Sequence, residues 1–97
     1  MLTKECLDFL KNEEDGSTVL CTYPDNKNIE IVYIDGIYNI FIKKGIFPFG
    51  HWYSRRLINI KKRFEKLCIE HSTNFTVSTK IQKELVQMYY RQKESKN

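Results

Sequence analysis

A chain of 97 residues, 41% hydrophobic and 29% charged, has apolar surface for one core and too little for two. That balance excludes a wholly disordered chain, and no apolar run approaches the roughly 18 residues of a membrane span. The net charge of +4 is unevenly divided: residues 1–45 hold five Lys/Arg against eight Asp/Glu (−3), residues 46–97 eleven against four (+7). The second half reads either as the surface for a polyanionic partner or as the solvated helix surface of a lysine-rich proteome.

No signal-peptide pattern opens the chain, which points to the cytoplasm of a host cell, or its nucleus if the source is viral. Alanine is absent while lysine, isoleucine and asparagine abound. That bias suits an AT-rich genome such as a low-GC bacterium, a phage or a large DNA virus. Cys6, Cys21 and Cys68 are odd in number, far apart and set among apolar neighbours. They read as reduced, core-facing thiols and not as a disulfide framework.

Leu2 to Glu14 is expected to form the first helix. Thr3 is its N-cap, Leu2 and Leu7 make a hydrophobic staple, and Cys6, Leu7 and Leu10 form the apolar stripe with Phe9 beside it. Glu13, Glu14 and Asp15 would close that helix where its dipole disfavours negative charge, before Gly16 stops it. The acids read either as a solvated helix end or as a contact surface. Ser17 to Tyr23 alternates as a half-buried strand, and the turn-forming run Pro24 to Asn28 leads to the next.

Ile29 to Ile42 is the organising stretch. Two runs of β-branched and aromatic residues flank Asp35-Gly36, a pair suited to the two positive φ angles of a type I′ turn. That turn pairs Ile34 with Ile37, Tyr33 with Tyr38, Ile31 with Ile40 and Ile29 with Ile42. One face then carries Ile29, Ile31, Tyr33, Tyr38, Ile40 and Ile42, and the other Glu30, Val32, Ile34, Ile37, Asn39 and Phe41.

Lys43 to Tyr53 is broken by Gly45, Pro48 and Gly50 yet rich in aromatic residues. It reads as an irregular loop, either a lid on the core or a binding surface. Ser54 to His71 is the longest predicted helix, with Leu57, Ile60, Phe64, Leu67, Cys68 and His71 on its buried stripe. Opposite them stand Arg55, Arg56, Asn59, Lys62, Arg63 and Lys66. Residues 74–77 are a short edge strand or a linker. A last helix starts at Ser78 or Thr79 with a Thr79–Gln82 capping box, buries Ile81, Leu85, Met88 and Tyr89, and frays over 91–97.

The expected fold is a single α+β domain over residues 1–97, a three-stranded antiparallel meander with helices packed on one face in the order α-β-β-β-α-α. No nucleophile–base pair, phosphate loop, dinucleotide fingerprint or paired-carboxylate pattern is present, so a non-enzymatic role without cofactor is expected. Cys68 and His71 have ligand spacing, but both fall on an apolar stripe, and no metal is expected.

The leading expectation is a small basic module contacting nucleic acid or a nucleoprotein through the basic face of the helix 54–71. Lys43, Lys44, Trp52, Tyr53, Arg55, Arg56, Lys62, Arg63 and Lys66 are its candidate contacts, cations for phosphates and aromatics for stacking. The alternative is a phage or mobile-element protein that binds and inhibits a host or defence protein. It would use an exposed sheet face around Val32, Ile34, Ile37 and Phe41, with Phe47 and Phe49 from the aromatic loop.

Overall fold

A computed structural model describes residues 2–45, 47–71 and 74–95, without the side chains of 47–49 and 69–71. The elements in order are α1 (Lys4–Lys11), β1 (Ser17–Thr22), β2 (Lys27–Ile34), β3 (Ile37–Lys44), β4 (Phe47–Ser54), α2 (Leu57–His71), β5 (Thr76–Ile81) and α3 (Lys83–Ser95). The five strands form one antiparallel sheet in the order β4-β3-β2-β1-β5. The α+β class and the central meander hold, but the sheet gains a strand at each edge.

The hairpin β2–β3 has the register that its turn chemistry dictates, with Ile34 opposite Ile37, Tyr33 opposite Tyr38, Ile31 opposite Ile40 and Ile29 opposite Ile42. Asp35 (φ 53°) and Gly36 (φ 79°) both take the left-handed conformation of a type I′ turn. The near face of the sheet so defined is covered by α1 and α2. Leu10, Val19, Cys21, Ile29, Ile31, Ile40 and Phe64 are fully buried there, and each large side chain contributes about 1.5–3 kcal/mol.

α1 is capped as expected, the Thr3 side chain accepting from the Cys6 amide at 3.2 Å. It ends at Lys11, however, and not at Glu14. The acids lie beyond the helix, with Glu13 at φ 51°, and Lys11 occupies the last turn, while Tyr38 Oη stands between the Glu13 carboxylate and the Leu10 carbonyl at the helix end.

The segment expected to be an irregular loop is strand β4. It continues the meander through a turn at Gly45 (φ 61°), with a register shift beside Ile42 and Lys43. β4 is an edge strand, where proline is tolerated because one row of backbone donors needs no ladder partner. Ile46 lies outside the described residues, as do the side chains of Phe47 and Phe49.

Thr76–Ile81 is also a full strand, which displaces the expected start of the last helix by several residues. Thr79 is therefore no cap. Gln82 instead donates from Nε2 to Thr18 Oγ1 at 2.8 Å.

α3 lies on the opposite, far face of the sheet, so the helices do not all pack on one side. Gly16 carries its approach: a Cβ there would sit 2.8 Å from Val86 Cγ2 and 2.9 Å from the Gln82 carbonyl oxygen. Thr18, Val32 and Ile34 are buried on this face. Met88, expected inside, is 53% exposed, while Leu85 and Tyr89 are half-buried. Residues 91–95 continue the helix instead of fraying.

Candidate functional site

α2 reaches the edge of the sheet beside β4, and its first turn is organised by Ser54. The Ser54 Oγ accepts from the Arg56 amide at 3.0 Å and from Asn59 Nδ2 at 3.1 Å, two residues ahead of the N-cap position and not at it. Ile60, Phe64, Leu67 and Cys68 turn inward. At 3.6 residues per turn, Asn59, Lys62, Arg63 and Lys66 then share the opposite side, and together they line a shallow depression of about 200 Å³. Arg55, Arg56, Lys62 and Lys66 are exposed, and Arg63 is half-buried.

Arg63 is the oriented member of this row. Its guanidinium centre lies 5.0 Å from the centroid of the Trp52 ring, a cation–π arrangement. Trp52 itself packs on the near-face core, its ring crossing so close to Gly50 that a Cβ there would lie 2.9 Å from it. Trp52 therefore supports Arg63 and is not a platform open for stacking on a base.

Among the described residues, the ion pairs are Lys27–Asp25, Lys43–Glu30 and Lys93–Asp35. None involves Arg55, Arg56, Lys62, Arg63 or Lys66. Among the described residues these five cations therefore form no direct ion pair, although the Arg55 charge, after the Lys93 and Tyr89 bonds, also helps to hold the Asp35 carboxyl down. Arg55 extends toward the hairpin turn, with Nη1 3.9 Å from the position a Gly36 Cβ would take.

The other predicted contacts are not brought to this surface. Tyr53 follows Trp52 in a strand and so points to the far face, where it is 72% exposed. Lys43 is on the far face too, 3.6 Å from Glu30 and 5.8 Å from the Phe41 ring centroid. Lys44 is exposed at the end of β3 that pairs with Phe47, whereas Ser54, at the start of the basic row, pairs with Tyr38 at the opposite end.

The far face carries a second feature. Phe41 and His51 stack with centroids 4.5 Å apart and planes 6° from parallel, and Tyr53 continues the row at 5.9 Å from His51. Asn39 Nδ2 lies 3.4 Å from the carbonyls of Val32 and Ile37, which turns its Oδ1 to His51 Nε2 at 3.0 Å and makes that nitrogen the donor. Beside this row runs a groove of about 430 Å³ lined by Val32, Ile34, Phe41, Leu85 and Tyr89, with Glu30, Asn39 and Lys43 at its polar end.

The expected exposed apolar sheet face is therefore partly closed. Val32 and Ile34 lie beneath α3, and Ile37 and Phe41 stay half-buried at its margin. Leu85 and Tyr89 were legible only as members of an apolar helical stripe. Nothing in their spacing distinguishes a groove wall from a core.

The acidic stretch that follows α1 proves to be an anchor for α3. Asp15 accepts from Tyr90 Oη at 2.6 Å and from the Asp35 amide at 3.0 Å. Asp35 accepts from both Tyr89 Oη and Lys93 Nζ at 2.8 Å. The Lys93 bond first, and the Tyr89 bond next, hold the Asp35 carboxyl below the ordinary aspartate value. The bond to Asp15 pushes the Tyr90 phenol up to about 12. Glu13 lies within 3.3 Å of Tyr33 Oη and 3.5 Å of Tyr38 Oη. Burial foremost, then the Glu13 charge, lifts Tyr38 to about 12.

The three cysteines are buried and unpaired. Burial, followed by the neighbouring Cys68 and Cys6, raises Cys21 to about 12, far from the reactive thiolate range. Among the described residues no three His, Cys, Asp or Glu side chains converge in a way that would hold a metal ion. The side chain of His71, the partner of Cys68 in the candidate ligand spacing, is outside that description.

No family model matches this chain, and no curated protein or solved structure shows significant similarity to it.

Proposed function

We propose that the protein binds nucleic acid through the outward face of α2, using Arg55, Arg56, Lys62, Arg63 and Lys66 on backbone phosphates. The observation that carries this reading is the group of cations without a direct ion pair among the described residues, Lys62, Arg63 and Lys66 along one side of α2 and Arg55 and Arg56 just ahead of its start. Counterions held at such a row are released when phosphates replace them, which supplies affinity without sequence information. Arg63, steadied on Trp52, presents its fork of donors with less conformational freedom to lose. With Trp52 occupied and Tyr53 on the opposite face, base stacking plays no part in the contact, so duplexes bind at least as well as single strands.

Trp52 is the only tryptophan in the chain, which makes it an internal reporter. Phosphate engagement by Arg63 changes the charge environment of the ring it rests on, and should change tryptophan emission on titration with a duplex. Lys62→Ala with Lys66→Ala should weaken binding while leaving the free protein's emission unchanged. A titration with duplex and single strands that changes neither emission nor the anisotropy of the labelled nucleic acid sinks the reading.

A second reading, a module that binds and inhibits a host or defence protein, draws support from the far face. The Phe41–His51–Tyr53 row beside the groove offers aromatic area next to a recess of ligand-site size. Under that reading Phe41→Ala and Tyr53→Ala abolish function, and the α2 substitutions do not.

A further inference from the structure

β5 is an edge strand, and its ladder leaves a defined set of backbone groups pointing outward. The Tyr23 amide donates to the Lys27 carbonyl at 2.9 Å, so the odd-numbered residues of β1 bond to β2. Its even-numbered residues then bond to β5, in line with the Gln82 amide donating to the Gly16 carbonyl at 2.9 Å. The register pairs Thr18 with Lys80, Leu20 with Ser78 and Thr22 with Thr76. The backbone groups of Lys80, Ser78 and Thr76 are thereby used, while Val77, Thr79 and Ile81 aim N–H and C=O away from the sheet.

Apart from Lys80, this edge lacks the devices that usually protect one. β4, at the other edge, carries Pro48 and a register irregularity. β5 has neither, its sequence TVSTKI is rich in β-branched residues, and its only charge is Lys80. Thr76 to Lys80 are exposed, Val77 by 37%. Among the described residues no element pairs with its outer side.

We propose that β5 pairs antiparallel with β5 of a second copy of this chain, about a two-fold axis through Thr79. The occupant follows from the register. An antiparallel strand must match outward groups with outward groups, so odd-numbered residues oppose odd-numbered ones. Centred on Thr79, Val77 of one copy faces Ile81 of the other, apolar against apolar, on the near face. Ser78 faces Lys80 of the second copy on the far face, and no like charges stand opposite each other. A centre at Ser78 would present groups already bonded to β1. The pairing extends the sheet continuously through both copies. Its axis is perpendicular to the sheet, so both α2 helices lie on one side and their basic rows form part of one surface. The dimer itself does not depend on the nucleic-acid reading.

Sedimentation of the full chain from micromolar to millimolar concentration tests the proposal, with a monomer–dimer equilibrium expected. Thr79→Pro removes only an outward N–H and should give a monomer with unchanged circular dichroism. Val77→Lys, which sets a charge against Ile81 of the second copy, should do the same without touching the backbone. Under mild oxidation Thr79→Cys should cross-link to itself and Ser78→Cys should not, the native cysteines being buried. A wild-type monomer at every concentration overturns the proposal. So does a dimer retained by folded Thr79→Pro and Val77→Lys, or cross-linking of Ser78→Cys as readily as Thr79→Cys.

Discussion

On the near face of the sheet, α1 and α2 lie over a continuous apolar surface, with Leu10, Ile29, Ile31, Ile40, Ile60 and Phe64 all but excluded from water. On the far face, α3 buries none of its residues and is tied down instead by Gln82, Tyr89, Tyr90 and Lys93 to Thr18, Asp35 and Asp15. One helix pair is held by area removed from water, the other helix by directed polar bonds. Apolar burial is insensitive to pH and salt screening, whereas carboxylate-centred bonds respond to both. The near face should thus behave as the folding core and the far-face helix as a locally separable element.

The largest expected effect comes from breaking the near face. Phe64→Ala removes a fully buried ring that contacts Phe75 edge-on at 5.9 Å between centroids. A loss of about 3–5 kcal/mol is expected in denaturant unfolding, enough to unfold much of a domain this small. A loss below about 1 kcal/mol would show that the core is centred elsewhere.

Next is the seat of α3. Gly16→Ala forces a side chain into φ 92° and against Val86 and the Gln82 carbonyl, so about 1–3 kcal/mol is expected to be lost. Hydrogen exchange should speed up first in α3 and only later in β2 and β3. Uniform acceleration across the chain would contradict the division between the faces.

A smaller, pH-dependent effect separates the two means of attachment. Asp35 has a lowered pKa in the fold, so its contribution is complete above the ordinary value and is lost as pH falls through the lowered one. Tyr90 is shifted the other way. Its bond to Asp15 is complete below the ordinary tyrosine value near 10 and lost as pH rises through about 12. Exchange protection of α3 should therefore fall at acid pH while β2–β3 keeps its protection, and Asp35→Asn should remove that acid limb. At high pH both faces should weaken together, because Tyr38 on the near face is also lifted to about 12. An acid limb that persists in Asp35→Asn would assign it to another carboxylate.

The smallest effect belongs to Ser17, whose buried hydroxyl has no hydrogen-bond partner among the described residues. Ser17→Ala should be neutral or stabilising by up to about 1 kcal/mol in a thermal melt. Destabilisation beyond that would mean the hydroxyl is bonded.

The near face was legible in the sequence because separate signals agreed there. Asp35-Gly36 sets a register, and that register alone puts Ile29, Ile31, Ile40 and Ile42 on one side. At the edges the signals conflicted. Gly45 does break the chain at a turn, but Pro48 and Gly50 also read as breakers although an edge strand accepts them, and Ser78 and Thr79 read as helix caps although Val77, Thr79 and Ile81 alternate as a strand does. Missing β4 had a functional consequence. Trp52 and Tyr53 were placed on one surface, but neighbours in a strand face opposite ways. The cation row of α2 survived because helical spacing alone brings Asn59, Lys62, Arg63 and Lys66 together. The tie between Asp15, Asp35 and α3 spans the length of the chain, and no local pattern carries it.

The claim that α2 is a phosphate-binding surface is tested most directly by the salt dependence of duplex affinity. Log affinity against log salt should be linear, with a slope near about −0.9 for each phosphate contacted. Lys62→Ala with Lys66→Ala should flatten that slope by about two and weaken all duplex sequences alike. Both lysines are exposed opposite the Ile60/Phe64/Leu67 stripe and alanine favours helix, so the thermal midpoint should not fall. No duplex binding at micromolar concentration, or an unchanged slope in a folded double variant, would contradict the account.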